Sequence, residues 1–152
     1  MGSDAPDLDA VIAVLASFPG TRMLEGGGDH FALHDPHGDI PPERQIPWAT
    51  VVTTDAYADG SELDRPGVFR LNIGLTRARF AEVVDSAVEH DFTALDVVMP
   101  HPTYGGYHFI CVLNPASSWH GVLGLITEAN AFAVRKHENA ARRGALPTRD
   151  DP

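Results

Sequence analysis

The chain has 152 residues, 43% of them hydrophobic and 21% charged, and a net charge of −10 at pH 7. This composition predicts a soluble globular protein with one domain over residues 1–152 and excludes disordered and fibrous proteins. No run approaches the ~20 apolar residues of a membrane-spanning helix, and the opening residues lack a secretory signal. The single cysteine cannot form an internal disulfide. We therefore expect a cytoplasmic protein without a membrane partner.

The first part of the chain predicts a helix followed by a hairpin. Residues 8–18 repeat apolar side chains at helical spacing, with Asp7 as the N-cap and a Pro-Gly pair as the stop. Residues 21–25 and 30–34 have the pattern of two short strands, and the three glycines at 26–28 supply the turn between them. These glycines lack the spacing of a dinucleotide-binding loop, which favours the hairpin turn.

The rest of the chain predicts three further strands and two further helices. The strands are expected at residues 48–53, 67–73 and 107–113, and the last of these is apolar enough to be central and buried on both faces. The helices are expected at residues 77–88 and from Ser117 or Ser118 to about residue 143. Residues 91–99 show no clear pattern, and the polar tail at 145–152 is expected to fray.

This order of elements predicts an α+β fold. The strands follow one another between terminal helices instead of alternating with helices, which is typical of a mostly antiparallel sheet. We expect about five strands, flanked by an N-terminal helix, a C-terminal helix and one inserted helix.

Residues 100–106, with the sequence Pro-His-Pro-Thr-Tyr-Gly-Gly, are the most suggestive segment for chemistry. Two prolines fix the backbone on either side of His101, and Tyr104 follows three residues later. A rigidly held imidazole beside a phenol can act as an acid/base pair, so the predicted catalytic residues are His101, Tyr104 and Asp55. The alternative is a structural turn in which His101 bonds a backbone carbonyl.

Arg70 and Asn72 are expected on one face of a strand whose other face is apolar. A semi-buried arginine there needs an anionic partner, which is either a carboxylate of the chain or the anionic group of a ligand. The candidate carboxylates are Asp55, Asp91 and Asp96. The predicted substrate-binding residues are Arg70, Asn72, Tyr57 and Asn114.

A metal site is conceivable but not favoured. His30, His34 and His37, with the aspartates between them, form a local cluster that can hold a divalent cation. Their spacing matches no established zinc pattern, so we expect no metal.

Cys111 lies in the predicted buried strand, where a thiol is a poor nucleophile. The sequence also lacks the common hydrolase, phosphate-loop and paired-cysteine motifs, and we expect no cofactor.

Several stretches together resemble a family of bacterial proteins known only as a domain of unknown function. They include RPGVFRLNIG at 65–74, HDFTALD at 90–96, PHPTYG at 100–105 and CVLNP at 111–115. Shorter matches are the Phe-Pro-Gly at 18–20 and DPHGD at 35–39. The resemblance covers nearly the whole chain, and it implies no particular activity.

More distantly, the layout is similar to the MmcQ/YjbR-type α+β fold. That fold has a leading helix ending in a Pro-Gly turn, an antiparallel sheet and a closing helix, and residues 108–112 followed by the 118–140 helix resemble its late strand and helix. The resemblance implies DNA binding, which has been proposed for those proteins. Residues 1–64, however, contain 12 acidic residues and two arginines, which repel phosphate backbones, so we expect no nucleic acid partner.

Two hypotheses for function remain. The first is a small enzyme that isomerises, cyclises or dehydrates an organic metabolite by cofactor-independent acid/base chemistry, with His101 as the acid or base and Arg70 as the anchor for an anionic group. The second is a non-catalytic module that binds a small molecule or a partner protein. Both predict a small-molecule ligand or partner, and a homodimer is compatible with either.

Overall fold

A computed structural model describes residues 5–55, 60–85 and 87–145 of the chain. Within these residues it has three α-helices and one six-stranded sheet with the strand order β1-β2-β3-β4-β6-β5. The elements are α1 (Leu8–Ala16), β1 (Thr21–Gly26), β2 (Asp29–His34), β3 (Ala49–Val52), β4 (Arg70–Gly74), α2 (Arg77–Val83), β5 (Met99–Pro100), β6 (Phe109–Leu113) and α3 (Trp119–Ala145). All neighbouring strands are antiparallel, so the predicted α+β fold is confirmed.

The main hydrophobic core lies between one face of the sheet and the helices. Leu71 of β4 and Val112 of β6 are fully buried there, and they pack with Leu15 of α1 and Ile126 of α3. Because side chains alternate along a strand, every second residue of β4 and β6 points into this core.

The opposite face of the sheet carries a second, smaller core. Its buried members are Val52, Leu63, Met99, Cys111 and Leu113. Leu63 comes from the loop between β3 and β4, so loop residues contribute to the cover of this face. β6 is therefore buried on both faces, as its apolar sequence predicts.

The local signals at the start of the chain are confirmed. Asp7 caps α1, because its Oδ1 accepts a hydrogen bond of 2.8 Å from the backbone N–H of Ala10. β1 and β2 form the expected hairpin, and both of its turn residues, Gly27 and Gly28, have positive φ angles of 63° and 90°. That backbone shape suits glycine and matches the twist of paired strands.

Two predicted strands begin later than expected. β6 starts at Phe109, because residues 105–107 form a turn of 3-10 helix that leaves Tyr107 74% exposed. β4 starts at Arg70 and not at residue 67, because the side chain of Asn114 occupies the backbone groups just before it. Asn114 Oδ1 accepts from Phe69 N at 3.0 Å, and its Nδ2 donates to Gly67 O at 2.8 Å.

Two predicted helices also end earlier than expected. α1 ends at Ala16, where the Ser17 hydroxyl donates to the carbonyl of Val14. α2 ends at Val83 and not at residue 88. The Asp85 side chain accepts from the N–H of Ala87, which competes with helical hydrogen bonding.

The segment without a clear pattern supplies the sixth strand, since Met99–Pro100 pairs with β6 at the edge of the sheet. Proline is tolerated at a sheet edge because its missing N–H faces away from the ladder. The predicted tail lies outside the described residues from position 146 onward. No helix in the described ranges is long and apolar enough to cross a membrane.

Candidate functional site

Arg70 and Asn72 form a buried polar network in the middle of the sheet, on the face away from the helices. Arg70 Nε donates to Asn72 Oδ1 at 3.0 Å, and Arg70 Nη1 donates to Ser61 Oγ at 2.8 Å. Asn72 Nδ2 donates in turn to Thr50 Oγ1 at 2.8 Å. Arg70 is only 1% exposed, so protein groups and not water surround its guanidinium. The structure thus brings together two of the predicted binding residues.

His101 is also buried, with 5% of its surface exposed, and it lies two residues beyond Met99 of the edge strand. Its Nδ1 accepts two backbone hydrogen bonds, from Thr103 N at 3.0 Å and from Tyr104 N at 2.9 Å. A nitrogen that accepts hydrogen bonds carries no proton, so this geometry favours the neutral imidazole with its proton on Nε2. Nδ1 is therefore engaged in holding the turn and is not available as a base.

The other predicted site residues have separate surroundings. The ring of Tyr104 lies 5.1 Å from the ring of His101, centroid to centroid, but Tyr104 is 53% exposed. Asp55 accepts from the backbone N–H groups of Leu63 and Asp64, at 2.7 and 3.3 Å, and so closes its own loop. Asn114 bonds the backbone before β4, as described above. Tyr57 lies outside the described residues.

The carboxylates considered as partners for Arg70 have other hydrogen-bond donors. Asp91 accepts from the N–H and the hydroxyl of Thr93, and these bonds lower the pKa of Asp91. Asp96 accepts from residues 116–118 at the start of α3. The structure thus gives Asp55, His101 and Asn114 contacts with the backbone, and their roles in catalysis or binding stay a prediction.

A large groove lies elsewhere, between the C-terminal half of α3 and one end of the sheet. We call it the α3 groove. It has a volume of about 840 Å³, and none of the predicted site residues lines it. Three aromatic side chains, Trp48, Phe109 and Phe132, form part of its wall. Gly74 allows the close approach of one of them, because a Cβ at this position would lie 2.9 Å from the tip of the Phe109 ring.

Polar nitrogens in the wall of the α3 groove lack partners. Trp48 is 4% exposed, and its indole Nε1 has no hydrogen-bond acceptor among the described residues. The Nδ1 of His34, which also lines the groove, is likewise buried without a partner there. A buried polar group without a hydrogen bond costs about 1–3 kcal/mol, so these two nitrogens are unusual features of the groove wall.

The charged side chains of the α3 groove are mostly cationic. Arg44, Arg77 and Lys136 line it, against one carboxylate, that of Asp39. No ion pair joins these three cations to an acidic side chain of the described residues. The Lys136 ammonium lies 4.3 Å from the centroid of the Phe132 ring, and desolvation lowers the pKa of Lys136.

Histidines meet at the same end of the groove. The rings of His34 and His137 lie 5.1 Å apart, and those of His37 and His137 lie 6.4 Å apart. Desolvation and the proximity of His137 lower the pKa of His34, although the carboxylates of Glu138 and Asp35 act in the opposite direction. Within the described ranges no three His, Cys, Asp or Glu side chains are placed to hold a metal ion, so the cluster of His30, His34 and His37 gains no support as a metal site.

Comparison with known proteins places the chain in a family. A family model with the description "Family of unknown function (DUF6194)" matches residues 6–142. The chain belongs to this family. No curated protein and no solved structure matches the chain. The resemblance to a domain of unknown function is thereby confirmed, whereas the similarity to the MmcQ/YjbR-type fold stays a prediction.

The sequence of this DUF6194 chain does contain a signal for the groove. The apolar stripe of α3 continues at helical spacing through Ala129, Phe132 and Ala133, and the next positions of the stripe are Lys136 and His137. A buried stripe that changes to cationic and imidazole side chains marks the point where the helix leaves the core and borders an open space.

Proposed function

We propose that this protein binds a small organic molecule in the α3 groove. The combination of a volume of about 840 Å³ with an aromatic lining carries the proposal, since ligand sites for small molecules typically measure about 300–1,000 Å³. Such sites are lined mainly by apolar and aromatic side chains with a few polar groups, and Trp48, Phe109 and Phe132 supply surfaces of this kind.

Exposed apolar side chains around the groove support the same proposal. Ile46 and Tyr107, both 74% exposed, stand at the rim and can cover the apolar body of a bound molecule.

The polar groups of the predicted acid/base site are engaged in hydrogen bonds within the protein. The polar atoms of Arg70 and Asn72 bind neighbouring side chains, and His101 Nδ1 binds the backbone of its own turn. A substrate would have to compete with these internal bonds. Of the two sequence hypotheses, we therefore favour the small-molecule-binding module over the enzyme that uses His101.

The test is a titration of the purified protein by calorimetry with three probes that share a naphthalene body and differ in charge: 1-naphthoate, 1-naphthalenemethanol and 1-naphthylmethylammonium. At about −0.3 kcal/mol per heavy atom, a probe of about 12 or 13 heavy atoms should bind with a Kd of about 1–2 mM. Ala133 lines the groove, so the ring added by Ala133→Phe should obstruct it and weaken the binding.

The matched control is Ala141→Phe, which adds the same ring to an exposed position of α3 and should leave binding unchanged. Thermal melting of both variants verifies that they are folded. The proposal fails if no probe binds, or if Ala133→Phe binds the probes as well as the unmodified chain does.

A further inference from the structure

We infer that the natural ligand of the α3 groove is an organic anion, with its charged group held by Lys136 and Arg77 and its apolar body placed against the aromatic wall. This inference rests on the proposed function and specifies the ligand class of that site. The anionic group is a carboxylate or a phosphate monoester, since both present compact, negatively charged oxygens to cationic side chains.

The first argument is the contrast in charge between the groove and the whole molecule. The chain has a net charge of −10, yet the groove has three cationic side chains and one carboxylate in its lining. Cations gathered in a cleft with apolar walls focus a positive potential there. The acidic remainder of the molecule repels large polyanions, so the groove suits a small anion and not a nucleic acid.

The second argument is the situation of Lys136. It is the only lysine of the chain, and its ammonium lies over the Phe132 ring at 4.3 Å from the ring centroid. No carboxylate of the described residues pairs with this ammonium. Partial desolvation lowers the pKa of Lys136. Lys136 is an exposed residue that lines the groove, so its ammonium is accessible to the charged oxygens of a bound anion.

The third argument is the arrangement of polar and apolar groups within one groove. Arg77 begins α2, directly after Leu75 and Thr76 at the end of β4, whereas Lys136 projects from α3, so the cations come from two sides of the space. Trp48 and Phe132 provide flat surfaces in the same lining. A molecule with an anionic head and a flat apolar body matches both features at once.

The test compares the neutral probe 1-naphthalenemethanol with 1-naphthoate and with 1-naphthyl phosphate, by calorimetry at low ionic strength. We expect at least one anion to bind about tenfold more tightly than the alcohol, and 0.5 M NaCl to remove most of that preference. The comparison of the two anions shows which head group the site prefers.

Two variants locate the anion. Lys136→Gln and Arg77→Gln should each reduce the affinity for the anions several-fold and leave the affinity for the alcohol unchanged. Arg143→Gln, which removes the same charge from an exposed position in the last turn of α3, is the matched control and should have no effect.

The outcomes separate this inference from the proposed function. The ligand class is wrong if the alcohol or the ammonium probe binds as tightly as both anions. It is also wrong if Lys136→Gln and Arg77→Gln leave the preference for anions over the alcohol intact. In both cases the groove remains a binding site. If none of the probes binds, the proposed function fails and the inference fails with it.

Discussion

At the scale of single residues, His101 is a side chain whose sequence context fits two roles, a catalytic group and part of a structural turn. Prolines on both sides hold it in place, which is compatible with catalysis and with a structural turn. Its Nδ1 accepts from the N–H groups two and three residues later, as an asparagine oxygen does in an Asx turn. The bonded turn is the alternative that the geometry supports, although the partners are N–H groups and not the carbonyl that the sequence suggested.

His101→Ala should lower the free energy of unfolding by about 1–3 kcal/mol, because two N–H groups in a partly buried turn lose their acceptor. His101→Asn should restore most of this loss, since its Oδ1 can accept the same two hydrogen bonds. Urea denaturation of the three proteins measures the difference. A His101→Ala protein as stable as the original would show that the turn does not depend on the imidazole.

The sequence predicts the positions of Arg70 and Asn72 well and the partners of Asn114 poorly. The first two share a face because alternation is a property of any strand backbone. Asn114 binds Phe69 and Gly67, which are more than 40 positions away in the chain. Such partners depend on how β4 and β6 are paired, and a single sequence does not contain that register.

At the scale of elements, the sequence correctly predicts features that depend on a few neighbouring residues, whereas it places the end of the second helix wrongly. The cap at Asp7 and the glycine turn of the first hairpin act within a few residues, so their structures follow directly from the sequence. Val88, in contrast, continues the apolar stripe of the predicted second helix, yet it is 52% exposed. The helix ends before Val88, because Val84 adopts an extended conformation and packs into the core there.

The hairpin turn offers a matched pair of substitutions. Gly27 has a φ of 63° and open space around it, so Gly27→Asn should leave the melting temperature nearly unchanged, because asparagine tolerates this conformation. Gly28 has a φ of 90°, and a Cβ there would lie 3.0 Å from Thr53 Oγ1. Gly28→Asn should therefore destabilise the protein by about 1 kcal/mol or more, as measured by thermal melting. Equal melting temperatures for the two variants would contradict this account.

At the scale of the whole molecule, the candidate site lies where distant parts of the chain converge. The α3 groove unites Trp48 at the start of β3, Arg77 at the start of α2, Phe109 of β6 and Lys136 of α3. Apart from the α3 stripe that leads to Lys136, the local sequence around these residues carries no signal for a groove. Their meeting in one groove depends on the order of strands in the sheet, which explains why sequence patterns indicate the fold class better than they indicate the groove.

Asp96 links two regions of the molecule in a similar way. Its carboxylate accepts five hydrogen bonds from the turn that begins α3, including backbone bonds of 2.6 Å from Ala116 and 3.0 Å from Ser117. Desolvation alone would raise the pKa of Asp96, but these bonds to its charged form hold that pKa well below the usual range. Asp96 thereby attaches the loop before β5 to the N-terminal end of the longest helix.

Acid should therefore weaken the whole fold through Asp96. A carboxyl group with a lowered pKa in the folded state stabilises the protein above its unfolded pKa of about 3.9, and this contribution is lost as the pH falls through the folded pKa. We expect the melting temperature to fall steeply below about pH 4, where the chain, with a pI of about 5.0, also becomes positively charged. Asp96→Asn should lower the melting temperature at pH 7 and make its decline in acid shallower, because the titrating group is gone. The control is Asp64→Asn, which makes the same change of charge at an exposed position and should keep the steep decline of the melting temperature in acid. If the melting temperature of Asp96→Asn declined as steeply, Asp96 would be excluded as the source of the acid sensitivity.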